Sequence, residues 1–364
     1  MHLLTSFVKR GQPPFFKIRK TGAVPVFLLI VWLALGPVAT AEDEAWLRPE
    51  AADAALIWGH RDGLVFGLPS PGGLPGPRGL IRVGVLGKDG KPELINFIAI
   101  EPVVKGAGTR SSRMAFSELE MSKLDPGQRG KRLWTSDWAG ELTTLRAKPE
   151  PIRQLSVRIE VEPFTANGAH VFVTARMSSD RPQELQLMVR HHDDSAPIEE
   201  LTVTATMGNY ERLRQLWLRD RLVDSRELYA GYTGDGFIDR ENYPRDEMLT
   251  YGDGDALVLA TTNEAAPARV KVPAKPWWTY KSIKLTQYWR VPAWHIQPDL
   301  RVKVNGRRVY WNSTDPIPGG PSFENFEVRQ RYVPDQVFIF GLTPASPRDF
   351  VPPIPRLAPR TQER

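Results

Sequence analysis

Apolar and polar residues alternate with a period of two through most of the chain. LIRVGVL (80–86), LINFIAIEPVV (94–104), LSVRIEVEPF (155–164), HVFVTARM (170–177), ELQLMVRHH (184–192) and ELTVTATM (200–207) read as strands. So do ALVLATT (256–262), ARVKV (268–272), LRVKVNGRRVYW (300–311), ENFEVRQRYV (324–333) and QVFIFGL (336–342). Turn-forming clusters such as PGGLPGPRG, ANGA and IPGGPS separate them. Helical patterning is thin. In NYERLRQLWLRDRL (209–222) Leu213, Leu216 and Trp217 would share a helix face, but Leu216 and Leu218 also alternate, and the strand reading is preferred.

Short strands at this spacing predict an all-β fold, a large two-sheet antiparallel β-sandwich over roughly residues 45–345. In size and strand density, and in no motif, the chain resembles the long sandwiches of galactose-mutarotase-like proteins and several polysaccharide lyases. That likeness implies a supersandwich fold and by itself no activity.

The amino terminus changes the picture. Lys9, Arg10, Lys17, Arg19 and Lys20 precede an apolar run from Ala23 to Leu35, followed by PVATA. A basic flank, a short apolar core and small residues at Ala39 and Ala41 predict a secretory signal, residues 1–41, cleaved before Glu42. The run is shorter than the roughly 20 residues a membrane span needs. The expected organisation is then a single sandwich domain over 42–349 and a Pro-rich disordered tail over 350–364, with a periplasmic or extracellular location and no membrane span after cleavage. Five of the 48 Lys/Arg and none of the 42 Asp/Glu precede residue 42, so the net charge of +6 falls to +1 in the mature chain. No basic stripe remains for nucleic acid. The chain has no Cys, which excludes a disulfide scaffold and thiolate metal or redox chemistry.

TGDGFIDREN (233–242) looks like half of an EF-hand loop. With Gly236 at the sixth position, the first and third are Gly231 and Thr233 and the twelfth is Asn242, so the essential oxygens are missing. It reads as a Gly-rich turn. The acidic residues Asp235, Asp239, Glu241, Asp253 and Asp255 leave a looser calcium site open, but no metal and no cofactor is expected.

Four groups carry candidate chemistry. HHDDS offers His191 and His192 beside Asp193 and Asp194 as a general base with a carboxylate partner, although adjacent strand residues point to opposite faces. Glu101 ends a strongly apolar strand, and with Glu118 and Glu120 it could supply the paired carboxylates of glycoside hydrolysis. WWTYKSIKLTQYWRVPAWH (277–295) interleaves Trp277, Trp278, Tyr288, Trp289 and Trp294 with Arg290 and His295. Aromatic faces stack on sugar rings and arginine pairs with acidic substituents. Asn209 and Tyr210, near Arg212, fit β-elimination from a uronate, with Tyr210 as base. No nucleophile elbow, phosphate loop or dinucleotide fingerprint is present. The expected function is a secreted protein that acts on an acidic polysaccharide or oligosaccharide as a lyase or epimerase. Glycoside hydrolysis, non-catalytic glycan binding and a structural envelope role are the alternatives. The candidate groups are expected to converge in one groove.

Overall fold

The computed structural model describes residues 44–68, 81–106, 133–146, 151–206, 208, 211–238, 241–263, 284–310 and 313–350. Within them the chain order is β1 (Trp46–Leu47), β2 (Ile57–His60), β3 (Leu64–Gly67), β4 (Ile81–Leu86) and β5 (Pro92–Val104). Next come β6 (Leu133–Trp134), β7 (Glu141–Arg146), β8 (Ile152–Val161), β9 (Val171–Ser178) and β10 (Glu184–His191). Then follow β11 (Ile198–Thr206), β12 (Gln215–Trp217), β13 (Leu222–Asp224), the single turn α1 (Ser225–Leu228), β14 (Glu241–Pro244) and β15 (Leu249–Tyr251). The series ends with β16 (Asp255–Thr261), β17 (Thr286–Val291), β18 (Arg301–Arg307), β19 (Ser322–Arg331), β20 (Gln336–Thr343) and the turn α2 (Pro347–Phe350). The protein is an all-β sandwich of two large antiparallel sheets, as its alternation predicts.

A nine-stranded sheet runs β1-β2-β3-β4-β5-β11-β19-β18-β14. An eleven-stranded sheet runs β13-β12-β16-β17-β20-β10-β9-β8-β6, with β15 on β16 and β7 on β8. The chain crosses between the sheets repeatedly, so β11 is inserted between β5 and β19, and β20 closes between β17 and β10. Neighbours in the centre of each sheet are therefore far apart in sequence.

One residue in two along each central strand faces the partner sheet. Ile98, Ile100, Leu201, Val203, Val302, Val304, Phe326 and Val328 do so from the nine-stranded sheet, and Leu185, Leu187, Val189, Phe338 and Phe340 from the other. Burying each such side chain contributes about 1.5–3 kcal/mol, which is what holds the layers together. Polar ties cross the same interface. Asn96 Nδ2 donates to Gln287 Oε1 at 2.6 Å, and Trp289 Nε1 donates to the Phe326 carbonyl at 2.8 Å.

Ten of the eleven strands expected from alternation are present, and ARVKV (268–272) lies outside the described residues. The stretch 211–222 contains no helix; Gln215–Trp217 forms a strand laid along β16, where Arg214 N donates to the Thr261 carbonyl, and β13 begins at Leu222. The acidic turn bends at Gly231, whose φ is +82°, and Asp235 pairs with Arg308. Among the described residues no three His, Cys, Asp or Glu side chains are grouped to hold a metal ion. None of the described helices is long and apolar enough to cross a membrane. The leader 1–41, Glu118, Glu120, Asn209, Tyr210, Trp277, Trp278 and residues 351–364 lie outside the described residues.

Candidate functional site

The unusual surface is the outer face of the nine-stranded sheet. Because Leu201, Val203 and Ala205 of β11 point into the core, Thr202, Thr204 and Thr206 point away from it. Register extends this face across the sheet. Glu101 of β5 stands opposite Thr202, Thr202 opposite Arg329 of β19, and Arg329 opposite Arg301 of β18. One step along, Ala99, Thr204, Glu327 and Lys303 form the next row. Arg82 of β4 stands opposite Phe97, with its guanidinium carbon 4.3 Å from the ring centroid.

An outer sheet face of this composition is ordinarily bathed in water. Here Arg82, Glu101, Thr202, Thr204, Glu327 and Arg329 are buried, and Lys303 shows only 7% of its surface. Burial pushes the pKa of Arg82 well below its ordinary value, to about 9, so the group keeps its charge at neutral pH against a desolvation penalty. The carboxylate of Glu200 takes hydrogen bonds from Arg329 and, at 3.2 Å, from Arg301 Nη2, and so anchors one end of the face. In the middle, the hydroxyls of Thr202 and Thr204 and Oδ1 of Asn325 have no hydrogen-bond partner among the described residues. Buried polar atoms left open in this way, set among cations and carboxylates, are the groups a polar ligand satisfies.

The other candidates occupy different places. His191 ends β10, where its backbone N–H donates to the Tyr332 hydroxyl at 2.9 Å and its Nδ1 lies 3.0 Å from the same oxygen. His192 stacks on His170 with ring centroids 3.9 Å apart, and its Nε2 lies 3.0 Å from Glu160 Oε2. His170 Nδ1 in turn lies 2.7 Å from Asp194 Oδ1, a bond that lowers the Asp194 pKa. This paired arrangement locks a strand end.

Arg290 and Tyr288 lie on the outer face of the eleven-stranded sheet. Arg290 grips Glu184 with two nitrogens, Nε at 3.1 Å and Nη2, and gives Nη1 to Asp255. The Tyr288 hydroxyl donates to the same Glu184 at 3.1 Å. The arginine expected to meet a substrate carboxylate is thus already held by two protein carboxylates. Trp289 is fully buried between the sheets. His295 closes a 3-10 turn (Ala293–His295), and burial lowers its pKa.

The expected convergence does not occur among the described residues. Glu184 and His191 stand at opposite ends of β10, seven residues or about 23 Å apart, so Arg290 and the histidines are separated by the length of a strand. Glu101 belongs to the other sheet. Among the described candidates, Arg290, Trp294 and His295 line one cleft. Sequence reasoning singled out Glu101 and passed over Arg82, Thr202, Thr204, Lys303, Glu327 and Arg329, which share its face. Their signal was there as the polar half of TVTAT, RVKVN and FEVRQ, each of which reads as an ordinary solvated face until burial is known.

No family model matches the chain, and no curated protein matches its sequence. The class defined by fold and site is therefore a two-sheet β-sandwich with a buried, charged outer face.

Proposed function

We propose that the protein is an exported carbohydrate-active enzyme that cleaves an acidic glycan by β-elimination on the outer face of the nine-stranded sheet. The observation that carries this reading is the buried floor of Arg82, Glu101, Glu327, Lys303 and Arg329 around the open hydroxyls of Thr202 and Thr204. Charged groups of both signs gathered on one buried face around unsatisfied hydroxyls are the kind of cluster that functional sites hold, which supports a functional reason for their retention. Cations in such a site neutralise a uronate carboxylate and the charge that develops on it when the neighbouring carbon loses its proton. Glu101 is the base in this scheme. It takes that proton and returns it to the departing glycosidic oxygen as the C–O bond breaks and the C=C bond forms.

Spacing favours elimination over double displacement. Glu101 and Glu327 are two strands and two residues apart in register, on the order of 12 Å between Cα atoms. Side chains standing perpendicular to the sheet keep the carboxyl groups well beyond the roughly 5–5.5 Å of a retaining glycosidase. Export rests on the basic, apolar and small-residue order of residues 1–41.

The test is a panel of uronate-containing polysaccharides read by absorbance of the unsaturated product. Activity on one of them should fall by about 10²–10⁴ in Glu101→Gln, the usual worth of a general base, while that variant still binds the glycan. No product from any uronate glycan would end the enzymatic reading, and binding without turnover would make the protein a glycan-binding module.

A further inference from the structure

Trp294 is the most exposed large hydrophobic side chain among the described residues, at 77%. Its backbone is nonetheless firmly held. Ala293 N donates to Asp255 Oδ1 at 3.0 Å, His295 N to the Pro292 carbonyl at 2.8 Å, and Gln330 Nε2 to the His295 carbonyl at 3.0 Å. Asp255 is itself fixed by Arg290. An indole presented to water from a rigid turn is a pre-organised platform, because little conformational entropy remains to be lost when a ligand covers it.

That platform borders a cleft of about 440 Å³ on the outer face of the eleven-stranded sheet, within the roughly 300–1,000 Å³ of small-molecule sites. Gln154, Gln186, Asp180 and Asp253 line it together with His295. Such amides both donate to and accept from sugar hydroxyls, and the carboxylates accept from them. Neither arginine in its wall is a free cationic anchor: Glu184 and Asp255 neutralise Arg290, and Arg181 lies 3.7 Å from the same Glu184 carboxylate. Counting Glu184 behind the wall, the carboxylates of Asp180, Asp253, Asp255 and Glu184 outnumber the cations of Arg181 and Arg290, a balance that disfavours uronates. Burial also keeps His295 below its ordinary pKa, so the imidazole is neutral at pH 7.

We propose that the Trp294 cleft is a second saccharide site, one that binds neutral hexopyranose units by stacking them on the indole and hydrogen bonding their hydroxyls to Gln154, Gln186, Asp180 and Asp253. It extends the carbohydrate reading to a second face and would let the protein hold a glycan away from the point of cleavage. Neutral oligosaccharides lack the carboxylate that elimination requires, so binding of them that is lost in Trp294→Ala reports on this cleft.

The experiment is calorimetric and tryptophan-fluorescence titration of the full chain with neutral hexasaccharides: β-1,4-glucan, β-1,3-glucan, α-1,4-glucan and β-1,4-mannan. At least one should bind and change the indole emission. Trp294→Ala should weaken it at least tenfold with an unchanged melting temperature, while Val333→Ala, which removes an exposed apolar side chain elsewhere, should leave it intact. No binding by any of the four, or binding that survives Trp294→Ala, overturns the proposal. Neutral binding that holds where uronate turnover fails would retain this site and remove the elimination mechanism.

Discussion

Arg82→Met separates a residue kept for function from one kept for stability. Arg82 is fully buried on the outer face of the nine-stranded sheet, and desolvation lowers its pKa by several units, to about 9. At about 1.4 kcal/mol per pH unit, that difference corresponds to a penalty of about 5 kcal/mol for holding the cation there at neutral pH. Against it stand the contact with the Phe97 ring, worth about 0.5–2 kcal/mol, and about 1 kcal/mol for each hydrogen bond that methionine cannot make. Methionine fills a similar volume without charge. The variant should therefore be more stable than the parent by about 1–3 kcal/mol, while losing affinity for acidic glycans.

The pH dependence gives the sharper check. The folded-state pKa of about 9 lies below the unfolded one, so above pH 9 the unfolded chain binds more protons at this site and the penalty is relieved as pH rises. The stability gap between variant and parent should be constant below about pH 8. It should narrow by about 2 kcal/mol by pH 10.5, which is 1.5 pH units above the folded pKa of about 9. Urea unfolding at pH 7, 8, 9.5 and 10.5 measures it, with equal m-values confirming that the same transition is observed. Arg290→Met is the contrasting case: it strands Glu184 and Asp255 in a buried site and should cost about 3–5 kcal/mol. If Arg82→Met loses more than about 1 kcal/mol, or if its gap from the parent is flat across the series, then Arg82 is a structural cation and the charged face loses its functional argument.

Much of the architecture was legible because a sandwich strand writes its two faces into alternate residues. LTVTAT and RVKVN announce which side chains point inward. They do not announce that Thr202 pairs in register with Arg329, or Lys303 with Glu327, since those partners lie 127 and 24 residues away. Nor can alternation say whether the polar face meets water. The buried floor looked solvated for that reason. The stretch TQYWRV failed differently. All six residues of β17 are buried, so its polar positions do not mark an exposed face. Its aromatics therefore read as one ligand-binding cluster, whereas Trp289 faces the core and Tyr288 and Arg290 the outer side. Arg290 illustrates a general trap: an arginine among aromatics looks available until the carboxylates that claim it, Glu184 and Asp255, arrive from other strands.

Gly341→Ala should destabilise the fold by about 1–3 kcal/mol, the usual cost of overpacking, because an added Cβ would lie 1.9 Å from the Tyr288 ring; a thermal melt at or above the parent's would contradict this. Trp289→Phe removes the Nε1 hydrogen bond to Phe326 and leaves a gap between the sheets, with an expected loss of about 2–4 kcal/mol in urea unfolding. Amino-terminal sequencing of the exported protein should begin at Glu42, and retention of residues 1–41 would reject the leader. The last prediction concerns acid. His60 is buried edge-on against Trp46, with ring centroids 5.0 Å apart, and its Nδ1 accepts the Asp62 backbone N–H at 3.2 Å. Desolvation lowers its pKa below 6.5, and an accepting Nδ1 must be unprotonated, so packing and hydrogen bonding both select the neutral ring. The unfolded chain then binds more protons at this site as pH falls through 6.5, which means the stability His60 contributes is complete above that value and declines below it. In His60→Asn, whose side-chain oxygen can accept the same N–H but does not titrate, the slope of stability between pH 6.5 and pH 5 should be shallower than in the parent. Equal slopes would show that the ring protonates without penalty where it sits.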